Sequence, residues 1–353
     1  MTHRRFTRRQ ALQGGAALAG AYALGKLPGG RSDPSSEERP VLVVLWLNGG
    51  PAGLFNSAGS FLRSGAFGVT AGNVRDLGGD LLVDRDSLGA LPEPARAHMA
   101  SVNFRHGVIR PHEQARAAVL EDGGRSRLLR MAAALPAAGR RCAIVNDLGF
   151  PAGVSADAPA EDGIALERVV DSDAVAQRVG ASRWAELRSA YGMGERSTIG
   201  DSASTFAAVE ALLSSGTGVV FAQPAYTGRA DRQFDTHEDD SGTAARAVMA
   251  PITPLLSTFL ARTLAFPERN VVTLLVGEFS RTVPRSDHEP GGTATLIGRY
   301  VRTGTAGPQS PDGSPPPDAP PPDALWAYAA AALRVGGSPF GRNPHPELIR
   351  TIG

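Results

Sequence analysis

The chain alternates between short apolar runs and stretches in which apolar and polar residues mix. Continuous apolar runs rich in β-branched residues are typical of strands buried on both faces. Such runs occur at 41–47, 142–145, 218–222 and 270–276, and in "ASVNF" at 100–104. Between them, apolar residues spaced by three and four predict helices. These begin near His112, Ser126, Ser202 and Ala247, and a last one covers "ALWAYAAAALRV". The alternation predicts an α/β fold, a three-layer sandwich around a mainly parallel central sheet.

The pattern also divides the chain into segments. Residues 1–30 have the character of a targeting segment, 31–40 form a polar linker, and 41–353 hold the elements of a single α/β domain. Within that domain, 153–200 is acidic and poor in strand pattern, which predicts a helical excursion or a lid over one edge. The proline-rich segment 307–324 predicts an extended surface loop.

The N-terminal segment predicts export. Arg8 and Arg9 precede a weakly apolar run from Ala11 to Gly25, which is too short and too rich in glycine for a membrane span of about 20 residues. A twin-arginine signal fits these features, with "AYA" at 21–23 as a cleavage candidate. Ala11 departs from the bulky residue usual after the arginines, and a disordered basic tail is the alternative. We therefore expect a protein of the periplasm or cell envelope with no integral membrane span.

Charge and cysteine usage exclude several classes of protein. Lys and Arg total 36 against 35 Asp and Glu, which argues against a polyanion-binding surface, so nucleic acid is not an expected partner. Cys142, the only cysteine, lies in an apolar run. The chain can therefore form no internal disulfide and no cysteine-based zinc site.

Polar residues cluster after two of the predicted strands. "FDTHEDD" brings Asp235 and His237 after the run at 218–222. "GEFSRTVPRSDHEPGG" follows the run at 270–276, and it contains Glu278, Arg281, Asp287 and His288. Because open α/β sheets place their ligands at the carboxyl ends of the strands, both clusters are expected at one edge of the sheet.

The residue types in the two clusters are those of a metal site. Carboxylates and imidazoles offer oxygen and nitrogen donors that suit zinc, manganese, iron, magnesium or calcium, and no sulfur is present to select a softer ion. Arg281 has the planar fork geometry that clamps an oxyanion. The alternative is that these groups only solvate a turn or pair with one another, for instance Glu278 with Arg281.

A third stretch adds two histidines. In "RHGVIRPHEQAR", His112 opens a predicted helix and His106 precedes it by six residues. Both are candidate ligands or anion donors, and a solvated histidine at a helix start is the alternative. The first strand ends at Asn48, Gly49 and Gly50, where glycines permit a tight backbone turn at the same edge.

The ordered set "GG", "FDTH", "GEFSRT" and "DH" before glycines resembles the exported sulfatase-like family of unknown function in the alkaline phosphatase superfamily. The resemblance spans nearly the whole chain and includes "PFGRNPHPEL" near its end. It implies an alkaline phosphatase/sulfatase-like fold and a divalent metal site built from Asp235, His237, Glu278 and His288. It also implies a small anionic ester or glycan as ligand.

The sequence departs from this family's pattern at positions that matter for catalysis. Relatives commonly carry an aspartate shortly after the paired glycines, where this chain has Ala52 or Phe55. Pro111 precedes His112 where the superfamily's serine or threonine nucleophile is expected. Ser280 and Glu289 replace a usual glycine in "EFSRT" and "DHEPGG".

Two functional classes therefore remain open. The first is a metal-assisted hydrolase of a phosphate or sulfate ester, in which Arg281 holds the oxyanion and His112 or His237 moves a proton. The second is a non-catalytic envelope protein that binds a partner or an anionic glycan. Because a first-strand carboxylate is missing, we expect at most one tightly bound metal ion.

Overall fold

The structure is a computed structural model, and it describes residues 38–145, 164, 166–169, 171–194, 199–224 and 233–350. The predicted export signal and residues 31–37 of the linker lie outside the described residues. These described residues form one compact unit.

An eight-stranded sheet runs through the centre of the described part. In spatial order its strands are β14 (Gly304–Ala306), β4 (Met99–Arg105), β13 (Gly291–Gly298), β10 (Arg269–Val276), β1 (Arg39–Trp46), β9 (Val219–Ala222), β7 (Cys142–Val145) and β8 (Leu166–Val169). Neighbours from β10 to β8 pair in parallel, and only β13 runs against the others. The predicted mainly parallel sheet is confirmed.

Helices cover both faces of this sheet. The longer helices are α2 (His112–Leu120), α3 (Arg127–Ala134), α4 (Ser172–Val179), α5 (Ala181–Ala190), α6 (Ser202–Ser214), α7 (Thr243–Met249), α8 (Ile252–Thr263) and α9 (Pro322–Ala332), and a short α1 spans Glu93–Arg96. The described part of the chain also contains three two-stranded pairs: β2 (Val74–Asp76) with β3 (Leu82–Asp84), β5 (Glu121–Asp122) with β6 (Arg125–Ser126), and β11 (Ser280–Arg281) with β12 (His288–Glu289).

Strand β1 shows why both faces are covered. Val43 and Leu45 belong to the apolar core shared with α6 and α8, whereas Val44 and Trp46 belong to the core shared with α3 and α9. Side chains alternate across a strand, so a strand without polar positions must be buried on both faces. The predicted three-layer α/β fold is confirmed in this arrangement.

Three strands of the sheet were not predicted: β8, β13 and β14. The sequence "GGTATLIG" of β13 opens with two glycines. A Cβ on Gly291 would lie 2.2 Å from the Phe104 carbonyl oxygen of β4. The glycine is therefore what allows β13 to approach its neighbour, since a strand glycine marks a close backbone approach.

The acidic segment 153–200 and the proline-rich segment 307–324 both have defined structure where they are described. The described part of 153–200 contains helices α4 and α5 together with the edge strand β8. The proline-rich segment 307–324 has no regular element before α9, yet it is attached along its length. Ser60 Oγ donates to the Gln309 carbonyl at 2.6 Å, Val283 N to the Asp312 carbonyl at 2.8 Å, and Arg105 N to the Pro320 carbonyl at 2.8 Å.

Among the described residues, no single helix has the length and apolar character to cross a membrane. The bent pair of α7 and α8 meets that test only when the two helices are taken together.

Candidate metal centre

The candidate site lies where β1 and β10 end side by side. The two strands pair in parallel up to Trp46 and Val276, so Gly49 and Gly50 emerge next to Glu278. Phe234 N donates to the Asn48 carbonyl at 2.8 Å, which brings the following Asp235 to the same edge. The register of the sheet therefore brings the predicted clusters together at the strand ends. Open α/β sheets place their ligand sites at this edge.

Gly49 makes this assembly possible. Its φ of +100° is unfavourable for residues with a side chain, and a Cβ there would lie 2.3 Å from the Asp235 nitrogen. The loop from Phe234 can therefore lie directly on the turn after β1.

Asp235 is the centre of the cluster. Its Oδ1 atom lies 2.6 Å from Arg281 Nη2, 3.1 Å from His237 Nε2 and 3.2 Å from His288 Nε2. Its Oδ2 atom faces His112, with Nε2 at 3.6 Å. Burial raises the pKa of the Asp235 carboxyl, but hydrogen bonds from His288 and Arg281 and the Arg281 charge outweigh burial and hold that pKa well below its usual range. The carboxylate is therefore ionised throughout the physiological pH range.

Arg281 lies beneath the site and is fully buried. Its guanidinium donates to the Gly50 carbonyl at 3.0 Å, to the Ser286 carbonyl at 3.0 Å, and to the Gly49 carbonyl and Asp235. The sequence suggested a clamp for a substrate oxyanion. In the structure the planar fork instead joins the turn after β1, the hairpin β11–β12 and the central carboxylate.

The remaining predicted residues join the same network. His237 is the most exposed of the imidazoles at the site, and its Nδ1 lies 3.4 Å from Asp287 Oδ1. Glu278 is fully buried, and its Oε1 atom lies 2.9 Å from His112 Nδ1. Asp235, His237, Asp287, His288, Arg281, His112 and Glu278 thus form one connected cluster.

Three of these residues are arranged to hold one metal ion. His112, Asp235 and His288 each offer a ligand atom, and the three atoms lie within 4.8 Å of one another. Two atoms bonded to one ion at about 2.1 Å lie at most about 4.2 Å apart. Asp235 is within that limit of both imidazoles, with Oδ2 3.6 Å from His112 Nε2 and Oδ1 3.2 Å from His288 Nε2. His237, Glu278 and Asp287 lie outside this group among the described residues.

Buried polar atoms at the cluster also support a metal ion at this position. Within the part of the chain that the structure describes, His288 Nδ1, Glu278 Oε2 and Asn48 Oδ1 are buried without a hydrogen-bond partner. Buried polar atoms are nearly always satisfied in proteins, and a cation or an ordered water is a common reason for an exception. Two imidazoles and a carboxylate with an open coordination position suit a catalytic divalent ion.

His106 has a different role from the one considered for it. Its Nε2 lies 2.6 Å from the Glu278 carbonyl, and its Nδ1 accepts from Val108 N at 3.1 Å. Burial lowers the pKa of this imidazole, so it is neutral at pH 7. Both nitrogen atoms are occupied, and His106 supports the backbone of Glu278.

The acidic residues after His237 are structural. Asp239 accepts from Ala245 N at 2.9 Å at the start of α7, and Asp240 accepts from Arg285 N. The interpretation of "HEDD" as an ordinary polar turn therefore holds for these two residues, whereas Asp235 and His237 belong to the candidate site.

Two contributors to the site, Phe279 and Arg116, were not singled out from the sequence. Phe279 stacks on His288 at a ring-centroid distance of 4.2 Å, and Arg116 Nε lies 3.8 Å from Glu278 Oε1. Asn48, named from the sequence only as part of the turn after the first strand, donates through Nδ2 to Gln233 Oε1 at 2.9 Å. One signal was available for Arg116. It follows His112 by four residues, which places both on one face of a helix.

The departures at Ala52 and Pro111 have clear locations. Ala52 is buried beside Leu47, Phe55, Met249 and Leu275, around a small apolar cavity. Pro111 is the residue before the first turn of α2 and contributes no hydroxyl.

Comparisons with known proteins found no matching family model and no matching curated protein. Solved structures similar to this chain include a protein of the alkaline phosphatase superfamily from Vibrio parahaemolyticus, with 11% identity and a TM-score of 0.42, covering 88% of this chain and 74% of that one. A phosphonate monoester hydrolase from Silicibacter pomeroyi has 13% identity and a TM-score of 0.37, covering 88% and 76%. A lipoteichoic acid synthase from Listeria monocytogenes has 10% identity and a TM-score of 0.39, covering 93% and 80%. Because these TM-scores lie below 0.5, the activities in those names remain properties of those proteins.

Proposed function

We propose that this chain holds one divalent metal ion through His112, Asp235 and His288 and hydrolyses a phosphate or sulfate ester with water as the nucleophile. The observation that supports it most directly is the convergence of two imidazoles and one carboxylate within 4.8 Å. When bound at such a site, a divalent ion polarises an ester oxygen and lowers the pKa of water.

The residues around the ion have distinct tasks in this proposal. Arg281 keeps Asp235 ionised and fixed in place. His237, part-exposed and close to both Asp235 and Asp287, is placed to move a proton to or from the reacting oxygen. The neighbouring hydroxyl oxygens of Thr236, Ser280 and Ser286 are buried, which favours water over a protein nucleophile.

The proposed hydrolysis consumes one water molecule and breaks one ester bond. Water adds its oxygen to the phosphorus or sulfur atom and loses a proton, the bond to the ester oxygen breaks, and that oxygen leaves with a proton. His237 is the group we expect to exchange these protons with solvent.

Activity measurements on metal-depleted and reloaded protein test this proposal. The full chain, stripped with a chelator and reloaded with zinc, manganese, magnesium, calcium or iron(II), is assayed with 4-nitrophenyl phosphate, phosphodiester and sulfate. We expect slow, metal-dependent hydrolysis that falls at least about 100-fold in His288→Ala. His98→Ala is the matched control. His98 directly precedes β4, at the end of that strand away from His106, and hydrogen-bonds to the Val301 carbonyl. Equal activity in wild type and His288→Ala would contradict the proposal.

A second candidate is a non-catalytic protein that binds an anionic ester, a glycan or an envelope partner. Two positions favour it: Ala52 supplies no carboxylate, and Pro111 supplies no nucleophile. In that case the reloaded protein binds metal and an anionic ligand such as inorganic phosphate or sulfate, yet none of the esters is hydrolysed faster than in buffer.

The proposed setting is the periplasm or cell envelope. Arg8 and Arg9 with the following weakly apolar run support export by the twin-arginine route. That route carries folded proteins, so metal loading before export is compatible with a centre assembled from distant parts of the chain.

A further inference from the structure

Glu278 is a buried carboxylate that lies directly behind His112. It is fully buried at the end of β10, and its Oε1 atom accepts a hydrogen bond from Gly49 N at 3.0 Å. The same oxygen lies 2.9 Å from His112 Nδ1. On the other side of that imidazole, Nε2 faces Asp235 Oδ2 at 3.6 Å.

This geometry determines which nitrogen of His112 carries the proton. Because Glu278 Oε1 accepts from the Gly49 amide, a hydrogen bond to His112 places a hydrogen on Nδ1. In a neutral imidazole only one nitrogen is protonated, so the lone pair lies on Nε2. That lone pair points toward the group formed with Asp235 and His288.

Glu278 is held at its backbone carbonyl as well as at its side chain. His106 Nδ1 accepts from Val108 N, so His106 Nε2 carries the proton and donates to the Glu278 carbonyl at 2.6 Å. The loop after β4 and the first residue of α2 thus supply two histidines in opposite tautomers. His106 fixes the backbone of Glu278, and His112 donates a hydrogen bond to the Glu278 side chain.

We propose that Glu278 is a positioning residue, whose buried carboxylate fixes the Nδ1–H tautomer and the ring orientation of His112 so that Nε2 is ready to bind a metal ion. The inference rests on the proposed function for its consequence, although the tautomer itself is a property of the metal-free protein. A carboxylate that orients a histidine ligand typically changes metal affinity about 10–100-fold.

Nitrogen-15 NMR of the metal-free full chain tests the tautomers directly. Spectra of uniformly labelled protein near pH 9, where an ordinary imidazole is neutral, distinguish protonated from unprotonated ring nitrogens. His112→Gln and His106→Gln assign the two signals. We expect Nδ1–H at His112 and Nε2–H at His106. A proton on His112 Nε2 would overturn the proposal, whether or not the protein binds metal.

Zinc titration measures the consequence for the site. Glu278→Leu removes the acceptor, and we expect zinc affinity to fall about 10–100-fold. Glu278→Gln retains a side-chain oxygen that can accept from both Gly49 and His112, so we expect the Nδ1–H tautomer and an affinity within about fivefold of wild type. Glu210→Gln is the matched control. Glu210 is also fully buried, and it accepts from Arg262 and Tyr191 in a separate network.

The outcomes separate this proposal from the function it serves. Wild-type zinc affinity in Glu278→Leu, or an equal loss in Glu278→Gln and Glu278→Leu, would overturn the positioning role. If Glu278→Leu does not fold, the wild-type tautomer and Glu278→Gln decide the question. If the wild type shows the expected tautomer and binds no metal, the metal centre is wrong and the orientation of His112 by Glu278 stands.

Discussion

At the residue scale, the contacts of Asp235 and Arg281 determine the character of the site. Asp235 Oδ1 lies within 3.2 Å of nitrogen atoms from Arg281, His237 and His288. Arg281 is fully buried and donates to three backbone carbonyls as well. The guanidinium is therefore part of the scaffold that holds the carboxylate.

Replacing Arg281 tests this scaffold role. Arg281→Met leaves Asp235 and the Gly49, Gly50 and Ser286 carbonyls without their donor, and we expect the free energy of unfolding to fall by about 3–5 kcal/mol. Arg350→Met is the control, because Arg350 is exposed and should change stability by less than about 0.5 kcal/mol. Urea unfolding of both variants gives the comparison. A loss below about 1 kcal/mol for Arg281→Met would show that the guanidinium is not structural.

The pH dependence of stability follows from Asp235. Its pKa is held well below the usual range in the folded protein, because hydrogen bonds and the charge of Arg281 outweigh burial. A carboxyl whose folded pKa lies below its unfolded pKa of about 3.9 stabilises the protein above that pH. The stabilisation is lost as the pH falls toward the folded pKa.

Asp235→Asn should therefore show its largest destabilisation near neutral pH. We expect the difference in unfolding free energy between wild type and Asp235→Asn to shrink steadily below about pH 4. Urea unfolding of the metal-free proteins at several pH values measures this difference. A difference that stays constant down to the lowest pH at which both proteins fold would contradict the assignment.

At the element scale, the turn after β1 connects the sheet to the site. Gly49 adopts a φ of +100°, and a Cβ added there would lie 2.3 Å from the Asp235 nitrogen. Gly216 has a similar φ of +91° but open space around it. Comparing substitutions at Gly49 and Gly216 therefore separates the effect of backbone strain from that of steric overlap.

Gly49→Ala should cost more stability than Gly216→Ala and should also weaken metal binding. Both variants carry the strain of a side chain at positive φ, roughly 1–3 kcal/mol. Only Gly49→Ala introduces a contact that displaces Asp235. Thermal unfolding and zinc titration of both variants provide the test, and equal effects of the two substitutions would contradict the close approach.

The elements also show how far the sequence predicts the fold. β1 and β10 agree with their predicted ranges within two residues, because apolar β-branched runs leave little alternative to a buried strand. The predicted helix from Ala247 divides into α7 and α8 around Pro251, which lacks an N–H for the helix. β13 depends on a neighbour that is distant in sequence, and the pattern of "GGTATLIG" carries no sign of that neighbour.

The candidate site shows the same division between local and distant information. The carboxylates and imidazoles after β9 and β10 were predictable, because strand ends of a parallel sheet converge. The roles of single residues were not, because they depend on burial and on partners from other segments. Arg281 faces inward, and His112 stands between Glu278 and Asp235.

At the scale of the whole molecule, export is a prediction that belongs to residues outside the described part of the chain. If Arg8 and Arg9 form a twin-arginine signal, Arg8→Lys with Arg9→Lys should keep a fused reporter in the cytoplasm. Cell fractionation measures this, and the control replaces Arg4 and Arg5 with lysine. A reporter that still reaches the envelope after the first double change would contradict the twin-arginine prediction.

The proposed function depends on one metal centre that the folded chain forms from His112, Asp235 and His288. The most direct test is the metal content of the full chain after equilibrium dialysis against zinc, by mass spectrometry, for wild type, Asp235→Asn, His288→Gln and the control His98→Gln. We expect about one tightly bound equivalent in wild type and His98→Gln, and less than about 0.2 in the other two. Two tightly bound equivalents, or an unchanged content in Asp235→Asn and His288→Gln, would contradict it.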